Sequence, residues 1–226
     1  MSTSKIALAL MSGLILTSCA GTKHGEKAQA PQSAKVVQRN YIVRDRSHEE
    51  APQWSWDFMT FNEQKESSPD RFFVGDSGDV NDRMAGCESA KARARQEIAQ
   101  EMGTFITSKM SETAEGKAVI NKMESSGNGV DRNFASILSS EAKSMLPGVQ
   151  VVSTTWEERD YSQAGGANSV YNCKVLVKLS KKTLEEVVKN TLAKVLNKEQ
   201  TAGKSDLLKS LSEAPKEFAD RTPASN

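Results

Sequence analysis

The stretch that decides the fold is Val170-Tyr171-Asn172-Cys173-Lys174-Val175-Leu176-Val177-Lys178-Leu179, followed by the run from Lys181 to Lys198. In the first ten residues Tyr171, Cys173, Val175, Val177 and Leu179 fall on every second position. That is the period of a strand with one buried face. From Leu184 onward the period changes, because Leu184, Val187, Val188, Thr191, Leu192, Val195 and Leu196 recur at three- and four-residue steps. This is the stripe of an amphipathic helix, which must lay that face on the sheet.

Working outward, Val149 to Arg159 reads as a second strand, with Val149, Val151, Ser153 and Thr155 on one face and Val152, Thr154 and Trp156 on the other. Between the two runs, Tyr161 to Ser169 holds Gly165-Gly166 and Asn168, so the pair is expected to be a β-hairpin. Upstream, Arg71-Phe72-Phe73-Val74-Gly75 predicts a strand closed by glycine, and Asp76 to Asp82 a turn whose Asp or Asn caps the next helix. That helix runs from about Asp82 to Ser111 on the stripe Cys87, Ala90, Ala94, Ile98, Met102, Phe105, Ile106, Met110. Its alanines allow close approach to a sheet. Ala114 to Met145 is expected to be helical in two pieces, broken at Ser125-Ser126-Gly127-Asn128-Gly129 and ended by Pro147-Gly148. The fold class is therefore α+β: a small antiparallel sheet, one strand plus a β-hairpin, packed on two long helices with a helical insert. This domain spans 52–200. A polar tail, 201–226, follows, in which Leu207, Leu208, Leu211, Ala214 and Phe218 predict a short amphipathic helix, either folded back or offered to a partner.

The N-terminus carries Lys5, an apolar run from Ile6 to Leu16, and then Leu16-Thr17-Ser18-Cys19. The run is too short for a membrane span, which takes about 20 residues, and has the form of a signal-peptide core. The closing four residues resemble a lipobox, which implies removal of residues 1–18 and lipidation of Cys19. The resemblance implies a lipid-anchored location at the bacterial outer membrane, with the domain in the periplasm or at the cell surface; by resemblance to enterobacterial lipoprotein sorting, Ala20 rather than an aspartate after the cysteine favours that membrane. Residues 19–51, polar and without sustained period, read as a tether, with Tyr41 to Val43 as an alternative edge strand.

Composition narrows the function. A net charge of +1 over 226 residues provides no footprint for nucleic acid. Both histidines, His24 and His48, fall in the polar stretch after Cys19, which removes a histidine-centred site from the expected domain. Gly75-Asp76-Ser77-Gly78 resembles the serine-nucleophile motif of trypsin-like enzymes but lacks a histidine base and has Asp79 in place of the next glycine, so it reads as a strand-to-helix turn. Asp76, Asp79 and Asp82 lack EF-hand spacing and read as caps. No metal, cofactor or catalysis is expected. Cys87 and Cys173 both point to the same core, either as a disulfide or as two buried thiols. Trp54, Trp56, Phe58 and Phe61 form either a partner surface or edge packing. Glu157-Glu158-Arg159-Asp160 reads as a solvated hairpin tip.

Taken together, Pro52-Gln53-Trp54, the strand Phe72-Phe73-Val74-Gly75 running into an alanine-rich helix, and Trp156 with Tyr171 to Val177 resemble the LPP-twenty family of bacterial outer-membrane lipoproteins. The same domain is similar to the N-terminal domain of the flagellar-assembly protein FlgT. The resemblance covers about residues 52 to 198. It implies a structural or assembly role at the cell envelope, binding other envelope proteins, with a homo-oligomer as one form of that role. The alternative is a ligand-binding module for peptidoglycan, glycan or peptide.

Overall fold

In the computed structural model, which describes residues 40–125, 133–161, 169–198 and 204–221, four antiparallel strands form one sheet in the order β1-β3-β4-β2. β4 (Ser169–Ser180) lies between β3 (Gln150–Asp160) and β2 (Asp70–Val80), and β1 (Ile42–Arg46) borders β3. The α+β fold expected from the alternation is present. The expected signal segment, Cys19, and the expected break and loop around Gly127 and Gly165 lie outside the described residues.

β2 is longer than expected. The run from Asp76 to Val80, read as turn, continues the strand through a bulge between Asp76 and Asp79, where Gly78 adopts φ 65°. A left-handed residue of this kind favours glycine and is how a bulge is absorbed into a ladder. Ser77, only 2% exposed, seals it by donating its hydroxyl to the Gly78 carbonyl at 2.6 Å and accepting the Cys173 N–H at 2.9 Å. The true turn shrinks to Asn81-Asp82. Asp82 then caps α2 (Arg83–Ser111) by accepting the Ala85 N–H at 2.6 Å.

α2 packs across β2 and β4. Its alanines work as the stripe implied, since a Cβ on Gly75 would lie 1.9 Å from the Ala90 carbonyl oxygen and 2.7 Å from the Ala94 nitrogen. Cys87 at the start of α2 and Cys173 on β4 are joined in a disulfide with Cα atoms 5.1 Å apart, inside the usual range for such bridges. α3 (Ala114–Ser125) and α4 (Phe134–Met145) are the two helical pieces of the insert. α4 lies against α2 at Gly103, where an added Cβ would approach Ser139 Oγ to 2.3 Å. With α5 (Lys181–Lys198) they enclose a core of Ile98, Met102, Ile106, Phe134, Leu138, Leu184, Val188 and Leu196.

Three expectations need correction. Residues 42–46, assigned to the tether, are an edge strand, as the alternative for Tyr41 to Val43 proposed. β1 docks there because the end of β3 receives it: the Arg159 guanidinium stacks 4.6 Å from the Tyr41 ring, and Arg44 Nε donates to buried Asp160 at 2.7 Å. The Glu157 to Asp160 segment is thus a polar hub rather than a solvated tip, with Arg159 also bridging Asp79 at 3.0 Å and Glu157 at 3.2 Å. Finally, 204–221 is not merely a polar tail with one short helix: of the two readings given for it, the fold-back is the one present, in two helices. α6 (Lys204–Ser210) and α7 (Ala214–Asp220) fold back and bury Leu207, Leu211, Ala214 and Phe218 in the core.

Candidate functional site

The sheet has a second face, turned away from α2, and residues 53–63 cover part of it. A 3₁₀ turn (Gln53–Ser55) buries Trp54, and its Ser55 carbonyl accepts the Lys174 ammonium from β4 at 2.7 Å. α1 (Phe58–Glu63) starts at Asp57, whose carboxylate caps the Thr60 N–H at 3.2 Å. It is then fixed by Phe61, whose ring meets Phe72 of β2 edge-on at 5.6 Å. Phe58 stacks on Phe61 at 6.2 Å.

Because β2 ends the sheet, one of its edges has no neighbouring strand among the described residues. α1 flanks that edge on one side and α2 on the other. Between them opens a groove of about 810 Å³, within the range of ligand clefts, roughly 300–1,000 Å³. From the turn before α1 comes Trp56; from α1, Phe58 and Met59; from β2, Phe73, Val74 and Asp76; from α2, the single helical face Glu97, Gln100, Glu101, Thr104 and Phe105. Trp56 is 69% exposed and Met59 53%, so two large apolar side chains stand at the surface. Four carboxylates line the groove, from Asp57, Asp76, Glu97 and Glu101, against one cationic side chain, Arg221.

Arg71 supports this wall from beneath. Its side chain, 3% exposed, lies between the rings of Phe73 and Phe218, 4.9 and 4.8 Å from the two centroids. It donates to Glu101 at 2.5 Å and to the Phe218 carbonyl at 3.0 Å. Burial holds the guanidinium below its ordinary pKa, and Glu101 offsets part of that. Glu97 moves the other way from a normal carboxyl: crowding by the groove wall raises it, and Asp76 raises it further.

The structure divides the four aromatic residues expected to act together. Trp54 and Phe61 are packing residues, Phe58 joins packing and groove, and Trp56 alone points largely to solvent. Asp76, Asp79 and Asp82 do not converge: they bond Asn172, Tyr161 and the helix cap respectively. His48 stands beside the sheet rather than on a free tether, its Nε2 3.3 Å from the Thr154 carbonyl, at an exposed position. Among the described residues no group of three His, Cys, Asp or Glu is placed to hold a metal, and no helix is long and apolar enough to cross a membrane. The acidic wall of α2 was not legible in the sequence, where Glu97 and Glu101 fall outside the apolar stripe of the helix. No protein-family model, curated protein or solved structure matches this chain.

Proposed function

We propose that this chain is a lipid-anchored envelope protein with a structural or assembly role, exerted by binding other envelope proteins, and that it belongs with the LPP-twenty lipoproteins it resembles. The observation that carries the binding role is the groove beside β2, where an exposed tryptophan and methionine border an unpaired sheet edge. Tryptophan is enriched among residues that dominate interfaces, and an open edge is a template for pairing with another chain. The Cys87–Cys173 bridge supports life in an oxidising compartment, where such bonds persist. The Leu16-Thr17-Ser18-Cys19 sequence supports the anchor. A long-lived attachment follows from burying acyl chains at about 0.8 kcal/mol per CH₂.

The anchor is tested by metabolic labelling with palmitate in the wild type and in Cys19→Ala. Label should be lost and the variant should fractionate as a soluble protein; unchanged labelling would overturn the anchor. The binding role is tested by cross-linking in intact envelopes, which should capture a reproducible set of envelope proteins. Capture of none removes the assembly role.

A further inference from the structure

We propose that the free edge of β2 takes an extended segment of a partner protein as a fifth strand, and that this segment alternates basic and apolar side chains. The inference rests on the binding role above and assigns it a surface and a partner chemistry.

The backbone argument comes first. Alternate residues of an edge strand turn their N–H and C=O groups outward, and these satisfy an added strand at the usual spacing of about 4.8 Å. Natural edges are generally blunted, and among the described residues two contacts blunt this one near its ends. At the bulge, Arg93 Nη1 donates to the Asp76 carbonyl at 3.1 Å. Toward Arg71 the strand meets α7 through the Phe218 carbonyl. Phe72 to Gly75 remain, about 13 Å of strand at 3.3 Å per residue.

The walls dictate the side chains. Successive residues of an added strand point to opposite faces of the sheet. Those turned toward α1 meet Trp56 and Met59, which favour apolar groups. Those turned toward α2 meet Glu97, which favours lysine or arginine, beside Glu101, whose charge Arg71 already pairs. A second copy of this chain is a poor occupant, because a two-fold pairing of β2 edges sets one acidic rim against another. The raised carboxyl of Glu97, due first to partial burial and then to Asp76, is in keeping with a negative field along this wall.

The test is a fluorescence-anisotropy titration of the full chain with three labelled eight-residue peptides. One alternates lysine with valine, the second alternates glutamate with valine, and the third is the lysine peptide with alternate amides N-methylated. The lysine peptide should bind. The glutamate peptide should bind at least tenfold more weakly, and so should the methylated one, which keeps its charge but loses one hydrogen-bonding edge. Glu97→Lys and Trp56→Ala, both substitutions at exposed positions, should each weaken the lysine peptide about tenfold, or about 1.4 kcal/mol. Added salt should weaken it further.

Equal binding of the methylated peptide, or no binding of the lysine peptide, overturns the proposal. So does a dimer in sedimentation that Trp56→Ala dissociates, since the occupant would then be a second copy. Failure here is separable from failure of the envelope role. If cross-linking in envelopes captures the same proteins from Glu97→Lys and Trp56→Ala as from the wild type, the groove assignment fails and the envelope role stands. If palmitate labelling and envelope capture fail while the titration succeeds, the reverse holds.

Discussion

Reducing the Cys87–Cys173 bridge is the perturbation whose size follows most directly from the structure. The bond closes a loop with a sequence separation of 86 residues. In the chain-entropy treatment, closure removes 2.1 + 1.5R ln n cal/mol/K from the unfolded ensemble, which for this separation is about 15 cal/mol/K, or about 4.6 kcal/mol at 25 °C. Reduction leaves both side chains in place, so no cavity term enters. For a domain of this size each kcal/mol moves Tm by about 2–4 °C, and the expected fall is roughly 9–18 °C. Urea unfolding with and without reductant, followed by circular dichroism, measures it. The slope m should rise on reduction, because the uncrosslinked unfolded chain exposes more surface. A loss below about 1 kcal/mol with m unchanged would refute the argument, showing that the unfolded chain is already held together between α2 and β4.

Further outcomes follow from packing and charge. Gly75→Ala sets a methyl 1.9 Å from the Ala90 carbonyl and should destabilise by at least about 1–3 kcal/mol, as overpacking does; urea unfolding that shows no change would mean that α2 can shift freely on the sheet. Phe218→Ala removes a fully buried ring that also stacks on Arg71, with an expected loss of about 3–5 kcal/mol and faster proteolysis at α7. Glu97 is predicted to make stability pH-dependent. Its folded pKa lies above the ordinary 4.5, so its contribution is complete below that value and is lost as pH rises through the folded one. Glu97→Gln should therefore raise Tm relative to wild type at pH 7 and lose that advantage near pH 3. An advantage that is constant with pH would show that the carboxyl does not titrate as argued.

Much of the fold was legible because periodicity is local. The switch from a two-residue to a 3.6-residue period between Leu179 and Leu184 needs no knowledge of the rest of the chain. Boundaries were less legible where polar residues were consumed by structure. Asp76, Ser77 and Gly78 have turn composition, yet the ladder with β4 recruits them into a bulge. Arg159 and Asp160 have the composition of a solvated tip, yet β1 arrives to cover them. Of the expected surface residues, Trp56 lines the groove, whereas Trp54 is buried in a turn that Lys174 ties down through the Ser55 carbonyl, 119 residues away in the chain.

What the sequence alone determined is the inventory: an α+β chain with one helix-forming stripe rich in alanine, two cysteines directed inward and a lipobox-like Leu16-Thr17-Ser18-Cys19. Each of these is a property of residues a few positions apart. What only the tertiary structure decided is which edge of the sheet stays open and what stands beside it. Strand order is set by long-range pairing, which no local period encodes. It is this order, with β2 outermost between α1 and α2, that turns two solvated-looking glutamates and one tryptophan into the walls of a single groove.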